Sequence, residues 1–313
     1  MSSLRDVGER QLIRNIKKVL RPATGIRGTD DDAAVIEADG DIVVCTDIVT
    51  FERHMPKGMT YEQFGWTAAA VNFSDLAAMG ARPTGLLVSM ALPEDMEESD
   101  VYDIVSGIDQ CAEFCNTRVI GGDTKPGAGV ISCTALGTMD GHAPMMRSGA
   151  NPGDVVAITG SLGGPAAGFA ALENGLDAED AIFSLMTPVP LVNEGMELCR
   201  CGKVTSCIDL SDGLSTAANT ICEQSRCGME LIWEFLPISP DVDDVCLATR
   251  SSDEDMVLNW GGEYELLFTF PKEEIEALQR TGLFFSIIGH ITNDDGAYLL
   301  RDDKKRRLDY GRY

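Results

Sequence analysis

The sequence predicts a two-domain α/β protein built from mixed strands and helices. Three observations carry that prediction. The chain has 313 residues, enough for two domains or one large one. An apolar content of 44% with 32 glycines is that of an ordinary globular α/β chain. Short apolar runs alternate along the whole length with segments of helical periodicity, and a Gly/Pro-containing stretch interrupts them near residue 145. The expected domains are therefore 1–145 and 146–313.

In the first half, "GERQLIRNIKKVL" places Leu12, Ile13, Ile16, Val19 and Leu20 at helical spacing. "DIVVCTD" reads as a buried strand ending in a polar turn. "TYEQFGWTAAAVNFSDLAAMGA" is a long alanine-rich helix stopped by Gly80 and Pro83. "GLLVSMAL" is a strand, "ESDVYDIVSGIDQCAEFC" a helix with an acidic first turn, "RVIGGDT" a short strand entering a Gly-Gly turn, and "GVISCTALGTM" a strand. In the second half, Pro152 and Gly153 turn into the strand "DVVAITG", followed by a Gly-rich loop and a helix. "PVPLVNEGMELCRC" is a helix, "VTSCIDLSDGL" a strand and turn, "STAANTICEQS" a helix, and "YELLFTF", "FFSIIGH" and "GAYLL" are late strands. One echo links the halves: "VNFSDLAAMGA" (71–81) resembles "IDLSDGLSTAA" (208–218).

Charge narrows the function. Fifty acidic residues against 25 basic give a formal net charge of −25. Nucleic acids and anionic membranes are poor partners for such a surface, because phosphate needs Lys and Arg. The charge reads either as a solvated surface, as in a salt-adapted cytoplasm, or in part as a means of holding cations. No apolar run approaches the ~20 residues that span a bilayer, and the amphipathic N-terminus lacks the apolar core of a secretory signal. The ten cysteines are scattered without a CxxC pair, which reads as reduced, packed thiols in a cytoplasmic protein. With three histidines, none near a cysteine pair, zinc is disfavoured.

Several aspartates sit at strand ends or turns among apolar and glycine neighbours: Asp30, Asp31 and Asp32 in "GTDDDAAV", Asp47 in "CTDIV", Asp75 in "NFSDLAAMG", Asp123 in "GGDT", and Asp209 with Asp212 in "DLSDG". Singly, "SDLAAMG" reads equally well as a solvated helix turn, "GGDT" reads better as an ordinary turn, and "IDLSDGLS" reads equally well as an N-cap. Together they share one context with almost no local Lys or Arg, and a desolvated carboxylate needs a cationic partner. An all-oxygen donor set suits Mg²⁺. Mg²⁺ clusters most often serve phosphate chemistry. No Walker A sequence occurs, and "TGSLGGPAAGF" reads as a packing turn. Arg147, beside a glycine turn in "MMRSGANPGD", reads equally as a phosphate contact or a surface arginine.

The motifs "GTDDDAAV", "CTDIV…H", "AVNFSDLAAMGARP", "GGDT", "RSGANPGD", "TGSLGG", "IDLSDGL" and "GGEYELLFT" occur in this order across nearly the whole chain. As an ordered set they resemble the thiamine-monophosphate kinase family, one of the ATP-using enzymes with the aminoimidazole ribonucleotide synthetase-like fold. The resemblance implies a two-domain subunit with mixed sheets and helices on one face, dimerising through its N-terminal sheets. It implies transfer of the ATP γ-phosphate to thiamine monophosphate, with several Mg²⁺ ions and no covalent or general-base residue. Asp32, Thr46, Asp47, Asp75, Asp123, Asp209 and Asp212 would share the metals, with Cys45 contributing through its carbonyl. Gly122, Asp123, Arg147 and Ser211 would contact ATP; His54, Glu263 and Tyr313 would contact the thiamine substrate. Within the aspartate run, Asp32 is expected to be the main ligand, Asp31 the second and Asp30 a solvated neighbour. The chain departs from the family in "GGEYELL", one residue shorter than the usual G-G-E-D-Y-E-L, and in the basic residues of "IVTFERHMPKGM". The alternatives are another enzyme of the same superfamily, of the aminoimidazole ribonucleotide synthetase or selenophosphate synthetase type, and a non-catalytic acidic cation-binding protein. A selenophosphate synthetase would carry a reactive cysteine near its N-terminus, whereas the first cysteine here is Cys45.

Overall fold

The computed structural model describes residues 26–27, 34–38 and 40–311, with side chains from residue 41 onward. The expected N-terminal helix, the aspartate run 30–32 and Tyr313 lie outside the described residues.

The first half is a six-stranded sheet with two long helices on one face. Its strands are β1 (Ile26–Arg27), β2 (Ala34–Ala38), β3 (Gly40–Thr50), β4 (Arg82–Leu92), β5 (Val119–Pro126) and β6 (Val130–Thr138), in the order β1-β2-β3-β6-β4-β5. Among the described residues of this sheet, only β4 and β5 pair in parallel. A short helix α1 (Phe51–His54) follows β3, then α2 (Tyr61–Met79) and α3 (Glu98–Phe114). Along β6, buried and half-buried residues alternate, so one face carries the core and the other is open. That open face includes Ile48, 61% exposed, and Leu87.

α2 is the central pillar. Thr60 opens it with a reciprocal capping box to Gln63, and Gly80, in the left-handed region at φ 73°, closes it. It is apolar almost all round and buried almost all round, as expected of a helix with neighbours on every side. Its alanines and glycines let those neighbours close in. A Cβ at Gly65 would meet the Ile104 carbonyl oxygen at 2.0 Å, and one at Gly107 would meet that of Glu62 at 1.8 Å, so α2 and α3 touch backbone to backbone. Phe64, Phe73, Leu76 and Met79 are fully buried. Each contributes about 1.5–3 kcal/mol of apolar transfer.

The second half is a seven-stranded sheet: β7 (Val155–Ile158), β8 (Ser206–Asp209), β9 (Gly228–Ile232), β10 (Leu266–Phe270), β11 (Ser286–Thr292), β12 (Gly296–Arg301) and β13 (Lys304–Arg307), ordered β13-β12-β9-β11-β7-β10-β8. Its helices are α4 (Gly164–Asn174), α5 (Glu179–Met186), α6 (Val192–Cys201), α7 (Leu214–Ser225), α8 (Asp241–Thr249), α9 (Asp253–Leu258) and α10 (Ile275–Gln279). β7, β8 and β10 are buried at every position because both faces are covered. Val156 and Ile158 face a core with residues of α4 and α7. Val155, Ala157, Phe268 and Phe270 join α2 and α6 in a core shared with the first half. At Gly195 a Cβ would lie 2.1 Å from the Ala77 carbonyl oxygen, so α6 also packs tightly on α2.

Two sequence expectations change here. "GGDT" is no turn: Gly121, Gly122 and Asp123 run straight through β5, paired with Leu87, Val88 and Ser89. Gly122 is required by closeness, since a Cβ would sit 1.9 Å from the Val88 carbonyl oxygen. The echoed segments also differ in form, 71–79 being helix interior and 208–218 a strand, turn and helix. They nonetheless touch, because the buried Ser74 hydroxyl donates to Asp209 Oδ2 at 2.6 Å.

Candidate active site

A cleft of about 1290 Å³ opens where β3 and α2 of the first half face β8, α7 and the 259–264 loop of the second. Its walls include Thr46, Asp47, His54, Asp75, Arg147, Asp209, Ser211 and Asp212. Eight sequence-predicted residues from four separate motifs thus meet in one place.

Two buried polar residues of α2 set the acidic wall. Asn72 Oδ1 accepts from the Asp47 amide at 3.1 Å, while its Nδ2 donates to the Ala68 carbonyl at 3.1 Å. Ser74 holds Asp209 from the next turn face. Asp75, on the same helix, therefore lies between a carboxylate of β3 and one of β8. The Ser74–Asp209 bond, to a charged acceptor, is worth about 1.5–3 kcal/mol, and the neutral Asn72 bonds about 0.5–1.5 kcal/mol each. Cys45 is not a wall residue. Its buried thiol lies beneath the floor and donates to the Asn72 carbonyl at 3.2 Å. Burial first, then the Asp75 and Asp47 charges, raise that thiol well above the usual range.

The third side is a pair of interlocked loops. Gly262 N donates to the Ser211 carbonyl (3.0 Å) and Tyr264 N to the Leu210 carbonyl (3.1 Å), while Leu210 N donates to the Glu265 carbonyl (2.8 Å). Gly261 and Gly262 have φ of 89° and 81°, and Tyr264 follows with φ 53°, an uncommon conformation for a tyrosine. Within "GGEYE" the two neighbouring side chains part. Tyr264 lines the cleft, and Glu263 does not. Instead Glu263 Oε1 accepts from Gly163 N at 3.1 Å, at the N-terminus of α4, where a carboxylate is favoured. Its Oε2 is buried with no hydrogen-bond partner among the described residues, and burial pushes the carboxyl up to about 7. Tyr264 is a site residue the sequence analysis missed. Burial, then Asp209, Asp47, Asp212 and Asp75, drive its phenol above the normal range, so it lies within the field of all four carboxylates.

The remaining expected residues divide. Arg147 lines the cleft, its turn pinned by Gly149 and Ala150 amides donating to Ser225 Oγ at 3.1 Å. His54 Nδ1 accepts from the Thr50 amide at 3.0 Å, which puts the proton of the neutral ring on Nε2. Thr46 Oγ1 donates to the Cys133 carbonyl at 2.8 Å. Gly122 and Asp123 are absent from the walls. Asp123 is exposed on β5, 3.0 Å from Lys125, which with the Thr124 amide lowers its carboxyl. Arg53, Arg306 and Trp260 also line the cleft, unflagged by any motif.

The donor chemistry of Asp47, Asp75, Asp209 and Asp212 fits a divalent cation that prefers oxygen. Among the described residues, no three His, Cys, Asp or Glu side chains converge into a formed metal site.

Comparison with known proteins settles the lineage. Family models for the N-terminal and C-terminal domains of AIR synthase related protein match residues 30–139 and 151–301. The thiamine-monophosphate kinase of Methanopyrus kandleri is 34% identical over 283 residues, covering 90% of this chain and 88% of its own. The chain belongs to the thiamine-monophosphate kinase family. The Buchnera aphidicola member from Acyrthosiphon pisum is 32% identical over 309 residues, covering 94% of this chain and 92% of its own. Among solved structures, AaThiL complexed with AMPPCP and TMP superposes with a TM-score of 0.87 at 29% identity, covering 98% and 97% of the two chains. Family membership confirms the two-domain α/β architecture expected from the ordered motifs. Among the described residues, no helix is long and apolar enough to cross a membrane.

Behind the cleft, Glu265 yields a stability prediction. It is pushed up to about 7 by burial, against the pull of the Thr159 hydroxyl donating at 2.6 Å. A carboxyl raised in the fold favours folding when protonated. That contribution is complete below about pH 4.5 and is lost as pH rises to about 7. Glu265→Gln removes the charge and keeps an acceptor for Thr159. It is expected to stabilise the protein by about 1–3 kcal/mol at pH 8 and by almost nothing at pH 4.5. Urea unfolding at the two pH values measures the difference.

Proposed function

We propose that the protein transfers the γ-phosphoryl group of ATP directly to thiamine monophosphate, giving thiamine diphosphate and ADP. The observation that carries this reading is the meeting of Asp47, Asp75, Asp209 and Asp212, from both halves, with Arg147 in one cleft. The whole-chain likeness to a relative complexed with AMPPCP and TMP supports it.

The acceptor is a phosphate monoester, largely dianionic at neutral pH because its second pKa is near 6. It needs no general base to attack. The barrier lies in bringing two polyanions together in line. Asp47, Asp75, Asp209 and Asp212, with Asp32 from the undescribed segment, would hold Mg²⁺, which when bound neutralises phosphoryl oxygens. Arg147 places a fixed cation on the same wall, where a guanidinium can take a phosphate bidentately. Asn72, through the Asp47 backbone amide, and Ser74, through the Asp209 carboxylate, hold this wall in place before substrate arrives, so little reorganisation remains during transfer. Ser211, beside Asp212, would contact ATP, and His54, with Tyr313, would contact the thiamine part. Glu263 enters this reading as the residue that caps the N-terminus of α4.

The reading includes a homodimer formed through the open face of the first sheet, which carries Ile48 and Leu87 beside the exposed strand β5. Gly122 and Asp123 act on ATP and metal only in such an assembly. We also place the domain division near residue 145 and the enzyme in the cytoplasm, which its free thiols suit. A coupled ADP-release assay with thiamine monophosphate, free thiamine or an aminoimidazole precursor tests the reaction. Turnover with the monophosphate alone supports it. Turnover with an aminoimidazole precursor would move the enzyme elsewhere in the superfamily, and none with any acceptor would favour a binding protein.

A further inference from the structure

Phosphoryl transfer makes no use of Trp260, the largest side chain in the cleft wall. It is 45% exposed there and immediately precedes the Gly261-Gly262 loop. Phe169 of α4 props its ring, with centroids 5.0 Å apart and planes tilted by 38°. The tail after β13 runs alongside, contributing Leu308 and Tyr310 to the same walls. That tail is anchored: the Tyr310 hydroxyl donates to Glu223 Oε2 at 2.7 Å and Gly311 N to Thr216 Oγ1 at 3.1 Å. Asp255 and Asp309, both exposed, border the stretch as well. The cleft thus has a carboxylate-and-arginine wall and an aromatic wall bordered by Asp255, Asp309 and Arg306, the last paired with Glu254.

We propose that Trp260 is the specificity-determining platform for the flat, cationic heterocycle of the acceptor. This rests on the functional reading above. The acceptor is anionic at its phosphate and cationic at its thiazolium ring. An indole face attracts a cation in addition to stacking on an aromatic ring. Asp255 and Asp309 add a field of the same sense. The neutral adenine of ATP gains nothing from that charge, so the platform discriminates between the two substrates. Phe169 fixes the ring plane beforehand, which lowers the ordering cost of binding.

Steady-state kinetics on Trp260→Phe, Trp260→Leu and Trp260→Ala test the assignment, each variant first checked by thermal melting. The KM for thiamine monophosphate should rise about tenfold or more in the Leu and Ala variants, with kcat and the KM for ATP within about twofold of wild type. Phe should recover most of the loss, because it keeps a π face. A rise of less than about threefold in the Leu variant overturns the proposal. So does a rise in the KM for ATP instead, or a Leu variant equal to Phe. If Trp260→Ala does not fold, the Phe and Leu pair decides. Wild-type protein that makes no thiamine diphosphate refutes the functional reading itself, whereas active wild type with an unaltered Leu variant refutes only this platform.

Discussion

Alanine at Asp75 or Asp212 is expected to lower kcat by at least about 10²–10³-fold, the scale of losing one preorganised electrostatic group in a transfer site. Folding should survive. Both side chains are only half-buried at the cleft surface, so neither substitution empties a core position. Without Mg²⁺ the variants should therefore melt within a few degrees of the wild-type temperature. With Mg²⁺ the wild type should rise more than either variant, because a ligand that binds only the folded state stabilises by mass action. Asp209→Ala is the instructive contrast. It strips the buried Ser74 hydroxyl of its 2.6 Å acceptor, so it should also cost about 1–3 kcal/mol of stability without metal. Differential scanning calorimetry with and without Mg²⁺, beside turnover, separates the two behaviours. Near-normal turnover in Asp75→Ala or Asp212→Ala would sink the assignment.

Gly261→Ala is expected to cost about 2–4 kcal/mol and most of the activity. The residue sits at φ 89°, and its added Cβ would lie 2.3 Å from the Ser211 carbonyl oxygen and 2.7 Å from Gly213 N. Left-handed strain of about 1–2 kcal/mol is the smaller part. The larger part is separation of two loops that hold each other through the Gly262–Ser211 and Tyr264–Leu210 hydrogen bonds. When they part, Ser211 and Asp212 move on one side and Tyr264 on the other. Gly175→Ala provides the control. Gly175 also has positive φ, 66°, but nothing lies within 4 Å of its Cβ position, so only the strain is expected. Urea unfolding of the two variants compares them directly.

Much of this arrangement was legible in the chain. The aspartates at 47, 75, 209 and 212 stood out because carboxylates among alanine and glycine need a cationic partner, and that argument requires no knowledge of the fold. The alanine-rich helix 61–79 and the apolar runs at 155–158 and 266–270 were legible for the same physical reason, since burial on all sides leaves no polar face. Other features were hidden by tertiary context. Gly121-Gly122 reads locally as a turn, yet Gly122 serves a close strand pairing with Val88. α5, α8 and α9 span only 8, 9 and 6 residues and open on acidic residues, too few turns for helical spacing to stand out. β13, "KKRR", is exposed at every position and has no strand pattern to read. That Tyr264 rather than Glu263 lines the cleft could not be read from "GGEYELL" itself. It emerges only when Tyr264 is seen at φ 53° with Glu263 turned to the α4 N-terminus.

The central claim is direct transfer between two bound phosphates in this cleft. A single-turnover rapid-quench experiment with γ-labelled ATP, Mg²⁺ and thiamine monophosphate tests it most directly. Label should pass from ATP to thiamine diphosphate in one phase, at the rate at which ATP disappears, with none on the protein at any time. Label appearing first on the protein and then chasing into thiamine diphosphate would contradict the account.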